Sequence, residues 1–442
     1  MATILEHPTA QALLEQTDVS PDALSGCADQ LTAFIARYLP LFRRSEQRCH
    51  ADTILRGKLT GLQRKTTEPI AANAKQKRRP LQLFVGAGAW DDKAVLTELR
   101  CHVRQQLADD NAVLVVDNHA VPKQGTESCG VARQWCGRLG KLDNCQVGYF
   151  LAYVAPRGKA LVDAQLYLTK ERALDAEHRH KTYVPKEVEH QKGWRIAVDL
   201  ILSSGKELPH AWVVGDDEFG HPSECRQLLR LHKERYVLDV PSNTTIRDLS
   251  ERRPPAQEGG RERLPLFERV DSWAARQPKK RWQTITRPGG TKGPRKVKAL
   301  QQWVQAKEED GRVGGRERLV VIKTCEKKPQ IWYTLSNARK EVRLAAVVCA
   351  QGCRAAVEDL FKEGNQEVGL NHYEVRSWRG WMHHMTLTLL ALLFLQLERL
   401  RLAKKKSAAD GAAGASDLHG TVASASGEFG GDRGGGEQEP AA

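Results

Sequence analysis

Three acids stand where carboxylates can do metal chemistry. Asp117 closes the apolar run "NAVLVVD", Asp216 follows "AWVVG", and Glu358 borders the apolar stripe of "CRAAVEDLFKEG". An acid at a strand end is placed rigidly, and carboxylates that converge repel one another unless a cation lies between them. If the strands of Asp117 and Asp216 are neighbours and the Glu358 helix packs beside that edge, the three can bind one or two Mg²⁺ ions. Two ions about 3.5–4 Å apart activate an attacking oxygen and stabilise a leaving one, the arrangement of phosphodiester chemistry. For each acid taken alone, a helix cap or a solvated carboxylate is the competing reading.

The elements that must position these acids can be followed along the chain. Residues 1–105 read as helical and basic, with apolar spacings of three and four in "DQLTAFIARYLPLF" and "ADTILRGKLTGLQRK". "NAVLVVD", "CQVGYFLAYV" and "ALVDAQLYL" then read as three strands, a stripe through Trp194, Ala197, Val198 and Ile201 as a helix, and "AWVV" as a further strand. Strands covered by helices make an α/β core over 106–240. Residues 241–343 form a basic insertion, with Arg-, Lys-, Pro- and Gly-rich loops and strand-like runs in "RLVVIK", "IWYTL" and, just beyond it, "RLAAVVCA". The core resumes over 344–403 with the Glu358 helix and then "MTLTLLALLFLQLERL", which is apolar nearly all round and suits a central buried helix. The Gly- and Ala-rich tail, 404–442, is expected to be disordered.

Charge narrows the partners. The 442 residues carry 68 Lys and Arg against 54 Asp and Glu, a formal +14. From Ser407 on there are six acids and one arginine, so the remainder carries +19. A body so basic points to a polyanion, with nucleic acid the leading candidate. The ten cysteines show no C-x2-C spacing and read as reduced thiols of a cytosolic protein. No signal peptide opens the sequence, and the run Leu387–Leu397 is too short to span a bilayer, so no membrane partner is expected.

Longer motifs then carry a family resemblance. "VPKQGTESCGVARQWCGRLGKLDNCQVGYFLAY" resembles the block after the first catalytic Asp of bacterial transposases of the insertion-sequence 701 family, in the DDE superfamily. "VVGDDEFG" is similar to their second catalytic block, and "VEDLFKEGNQEVGLNHYEVRSWRGWMHHMTLTLLAL" to the third. The resemblance implies an RNase H-like mixed sheet flanked by helices, a helical N-terminal DNA-binding domain, and Asp117, Asp216 and Glu358 as the metal-binding catalytic acids. Asp217 and Glu218 are then neighbours that support the site or face solvent. The superfamily pattern Y-x2-R-x3-E-x6-K is met by Arg354 and Glu358, while Gln351 stands at the Tyr position and Asn365 at the Lys position, which leaves DNA gripping on this helix to Arg354.

Further DNA contacts are expected from Lys123, Arg133 and Lys141, with Arg138, in the glycine-punctuated loop after Asp117. A solvated basic loop is the alternative for each. Arg376 and Trp378, with Arg379 and Trp381, interleave cations and aromatics as a platform for an unstacked base would, against core packing of the two rings. His383 and His384 read as core or capping histidines. The expected activity is a Mg²⁺-dependent transposase, with Mn²⁺ able to substitute. It would cut double-stranded DNA at the terminal inverted repeats and join them to target DNA, as a homodimer in the bacterial cytoplasm at the nucleoid. The competing readings are an inactive DNA-binding regulator and a nuclease that cuts without joining.

Overall fold

Buried valines account for the centre of the molecule. Val113, Val115 and Val116 of β1 (Val113–Pro122), Val213 and Val214 of β5 (Trp212–Gly215) and Val237 of β6 (Tyr236–Val240) are all buried, as in strands covered on both faces. The computed structural model describes residues 26–251, 265–287 and 293–409. Residues 1–25 of the expected helical domain, 252–264, 288–292 and 410–442 of the expected tail lie outside them, whereas 404–409 of that tail are helical rather than disordered.

β1 is central. It pairs antiparallel with β3 (Lys141–Ala155) and parallel with β5, and β5 pairs parallel with β6. β3 also carries β2 (Ala132–Cys136) and β4 (Gly158–Leu166), both antiparallel. The spatial order β4-β3-β1-β5-β6, antiparallel on one side of β1 and parallel on the other, is the RNase H-like mixed sheet that was expected. The basic insertion does not form a sheet of its own. β12 (Ile331–Ser336) bonds antiparallel to β6, and β11 (Val313–Thr324), β10 (Arg295–Lys307), β7 (Thr245–Asp248) and β8 (Glu268–Arg269) follow in order, with β9 (Gln283–Arg287) beside β10. This extension has a small second core around the fully buried Trp273, whose indole N–H donates to Asp248 at 2.9 Å.

Among the described residues five α-helices precede the sheet: α1 (Cys27–Tyr38), α2 (Ser45–Lys58), α3 (Thr67–Asn73), α4 (Arg78–Gly86) and α5 (Asp92–Leu107). Asp91 starts α5 by accepting from the backbone N–H groups of Lys93 and Ala94. Between β4 and β6 come α6 (Lys170–Leu174), α7 (Ala176–Lys181), α8 (Gly193–Ser203), α9 (Asp217–Gly220) and α10 (Ser223–Leu231). α11 (Val270–Ala275) belongs to the extension, and α12 (Leu344–Gly352), α13 (Ala355–Glu367) and α14 (Trp378–Ala409) close the fold. The expected strand at "RLAAVVCA" is therefore a helix. Leu344, Val347, Val348 and Gln351 fall at helical spacing and are all buried, so packing overrides the β-branched composition.

α14 is the central buried helix, with Leu387, Leu389, Leu390, Leu392 and Leu393 all at 1% exposure or less. His383 sits in the same core, its ring stacked 3.7 Å from that of Trp90 and both ring nitrogens against backbone carbonyls. Two buried lysines tie the N-terminal helices to the end of α13. Lys58 donates to the carbonyl of Val368 at 3.3 Å and Lys65 to that of Glu367 at 2.5 Å, where cations suit a helix C-terminus.

The core and the extension are joined through charge as well as strands. Arg226 of α10 and Glu317 of β11 pair at 3.1 Å with side chains 5% and 2% exposed, and the Tyr236 hydroxyl also donates to Glu317 at 2.5 Å. Removing one member of a buried pair strands the other, at a cost of about 3–5 kcal/mol. Glu317→Leu is accordingly expected to lower the unfolding free energy obtained from urea titration by that order, whereas Glu251→Leu, at an exposed ion pair, should change it by no more than about 1 kcal/mol.

Candidate active site

Strand register sets the acids side by side. β1 and β5 pair Val113 with Trp212 and Val115 with Val214, so the same register brings Asp117 level with Asp216. β5 and β6 pair Gly215 with Leu238, which brings Asp216 level with Asp239. Level residues on parallel strands face the same side, so three carboxylates form a row across three strands. The sequence reads Asp117 as the end of its strand, and it is not. β1 runs on to Pro122 because its ladder with β3 continues after its pairing with β5 has stopped.

Local backbone chemistry fixes the middle of the row. Asp216 is the N-cap of α9 and accepts from the N–H of Glu218 at 3.0 Å. Glu218 turns inward, accepting from the Asn118 amide at 2.6 Å and from the Tyr149 hydroxyl, while Asp217 is exposed. Gly220 ends the turn against β6, where a Cβ would run into the carbonyl of Asp239.

Arg354, at the N-terminus of α13, supplies the counter-charge. Its guanidinium lies 3.0 Å from Asp239 and 3.8 Å from Asp216. The Gln351 amide donates to both oxygens of Asp239 at 3.1 and 3.2 Å and accepts from Arg287 at 2.7 Å. Glu358 follows Arg354 by one turn and is exposed. One arginine does not neutralise the row. Asp117 is pushed up to about 8 by burial and then by Asp216, with Glu358 adding to the effect. Asp216 is raised by burial, against the pull of Arg354. Asp239 is pushed up to about 6 by burial, again against the pull of Arg354.

Residues 37–294, more than half of the sequence, match the family described as DDE superfamily endonuclease. The chain belongs to the DDE superfamily endonucleases. The matched segment contains Asp117, Asp216 and Asp239 and stops before Glu358. No curated protein matches the sequence. Among solved structures, a piggyBac transposase synaptic complex with hairpin DNA is similar, at 10% identity and a TM-score of 0.40, over 86% of this chain and 73% of that one.

The other expected contacts of this endonuclease scatter. Lys123 is half-buried, lies 3.6 Å over the ring of Tyr373 and donates to that residue's carbonyl, and burial brings it down to about 8. Arg133, Arg138 and Lys141 are exposed on the β2–β3 hairpin, with Lys141 bridged to Asp143 at 3.1 Å. Arg354 turns toward the acids. Arg376 is exposed, but Trp378 is 8% exposed and Trp381 1%, both within the core, so the expected base platform has no free ring. Sequence reasoning missed Asp239. Its signal was a lone acid inside "YVLDV", a strand buried along its whole length. Among the described residues no group of three or more His, Cys, Asp or Glu side chains is drawn close enough to hold a metal ion.

The raised Asp117 makes stability pH-dependent. From about pH 4 to pH 8 the folded chain keeps a proton on Asp117 that the unfolded chain has released, so stability falls as pH rises through this window. In EDTA, Asp117→Asn should gain stability relative to wild type between pH 5 and pH 8, read as urea midpoints. A difference that stays constant with pH would contradict this origin.

Proposed function

We propose that this endonuclease is a DNA transposase that cuts phosphodiester bonds at the ends of a mobile element and joins the freed 3′-hydroxyl to target DNA. The observation that carries the reading is the alignment of Asp117 on β1 with Asp216, the residue that follows the parallel strand β5, with Glu358 near enough to oppose the ionisation of Asp117. Residues 1–105 would recognise the terminal inverted repeats. Segments 106–240 and 344–403 would form the catalytic core, 241–343 the inserted domain, and 404–442 a tail. A homodimer would pair two element ends, in a bacterial cytoplasm at the nucleoid.

The donor set suits Mg²⁺, with Mn²⁺ able to replace it, because all three groups are carboxylate oxygens. Burial and then repulsion from Asp216 hold Asp117 near 8, and a cation beside the two acids would favour its ionised form. Asp117, Asp216 and Glu358 would hold it. When bound, such ions lower the pKa of an attacking oxygen and stabilise the leaving one. The protein's own groups supply position and charge. Arg354 holds Asp216 and Asp239 in place, Asn118 and Tyr149 fix the turn through Glu218, and the basic body draws in the DNA backbone. A non-cutting, end-binding regulator is the second reading. It is favoured by Gln351, tied to Asp239 and Arg287, and by Asn365, which stand where the superfamily pattern has Tyr and Lys.

The test is cleavage of labelled DNA that carries the flanks of this reading frame, in Mg²⁺ and in EDTA. Wild type should cut only with Mg²⁺. Asp216→Asn should bind equally and lose more activity than the roughly 10–100-fold typical of residues that merely orient metal ligands. Binding without cutting by wild type would favour the regulator, and cut ends that never join target DNA would leave a nuclease.

A further inference from the structure

Trp135 is the only tryptophan among the described residues whose side chain is exposed, at 60%. It lies on β2, in a hairpin closed by Gly137–Gly140, with Gly140 in the left-handed region at φ 64°. Cross-strand register sets Trp135 beside Leu142, 57% exposed, and Arg133 beside Asn144 on the same side. Leu139 at the tip is 44% exposed. The opposite side is anchored, with Cys136 and Cys145 buried and the Gln134 amide donating to the Cys145 carbonyl at 2.9 Å. One side of the hairpin therefore presents an indole, an aliphatic neighbour and an arginine to solvent, with no core function for any of them.

Its location and charge restrict what covers it. The hairpin follows directly from β1, the strand of Asp117. β1 pairs Val121 with Gln146 and Pro122 with Cys145 of β3, so the hairpin projects from the end of β1 that lies beyond Asp117. Between Ala132 and Cys145 the side chains of Arg133, Arg138 and Lys141 outnumber one acid, Asp143. Like charge opposes packing against the same hairpin of a second copy and favours a polyanion. An exposed indole flanked by arginines is the combination that stacks on a nucleobase while cations hold the phosphates beside it.

We propose that the β2–β3 hairpin is a nucleobase-stacking wedge, in which Trp135 stacks on an unpaired base at a DNA end and Arg133 and Arg138 hold the adjoining phosphates. The inference rests on the DNA reading above and adds a preference for unpaired over paired DNA. Trp135 touches the DNA and takes no part in bond breaking.

The test compares two labelled duplexes of one sequence, one fully paired and one ending in an unpaired tail, bound to the full-length chain and followed by anisotropy. Wild type should prefer the tailed duplex. Trp135→Ala should weaken that complex by roughly 5- to 150-fold and the paired one by about twofold at most, and Trp135→Phe should recover most of the loss. Equal weakening of both duplexes, or of neither, overturns the wedge while leaving the DNA reading intact. A change of sedimentation mass in Trp135→Ala with DNA affinity unchanged also overturns it, in favour of contact between copies. A wild type that binds neither duplex overturns the DNA reading, and the wedge with it.

Discussion

Repulsion among Asp117, Asp216 and Asp239 is the constraint around which the core is arranged. Three carboxylates level with one another are unfavourable in a half-buried cleft, and among the described residues Arg354 is the cation paired with Asp216 and Asp239. The row is held because the strands beneath it leave the acids no freedom to separate. β1 is locked to β3 over ten residue pairs, from Val113–Val154 to Pro122–Cys145, and β5 and β6 are buried throughout. Acids held together in this way take up protons that a divalent cation could displace.

Supports for the row come from distant parts of the chain. Arg354 is held through Asp239 and Gln351, and Gln351 in turn by Arg287 of the extension. The end of α13 is fastened by Lys58 and Lys65 from the N-terminal helices. The helix that carries Glu358 is thus held at one end by the extension and at the other by the helical region. Displacement of either would be felt at the acids, because hydrogen-bonded contacts between rigid elements transmit position.

Much of this was legible in the sequence, for identifiable reasons. The central strands are runs of buried β-branched residues, and α14 is apolar on every side, so period and composition were enough. Asp117, Asp216 and Glu358 were visible because each borders an apolar run. Asp239 was not, since its importance comes from register with Asp216, and register appears only when strands are paired. "RLAAVVCA" misled because its β-branched residues sit on the buried face of a helix. Trp378 misled because an alternation of cations and aromatics says nothing about which way a ring turns, and this one turns into the core. The continuity of the extension with the core sheet was also out of reach, because it depends on β12 bonding to β6 across about ninety intervening residues.

The order of the row and its counter-charge along the chain has a consequence for biosynthesis. Asp117, Asp216 and Asp239 leave the ribosome first, whereas Arg354 and Glu358 follow only after the whole extension has been made. At synthesis rates of about 5–20 residues per second, the interval between Asp117 and Glu358 is on the order of 10–50 s. During that time a nascent chain holds the acids without the arginine that steadies them or the helix that bears the last carboxylate. A truncated translation product that ends within the extension would carry the N-terminal basic helices without a complete acid set. It would be left able to compete for a polyanion and unable to assemble the site.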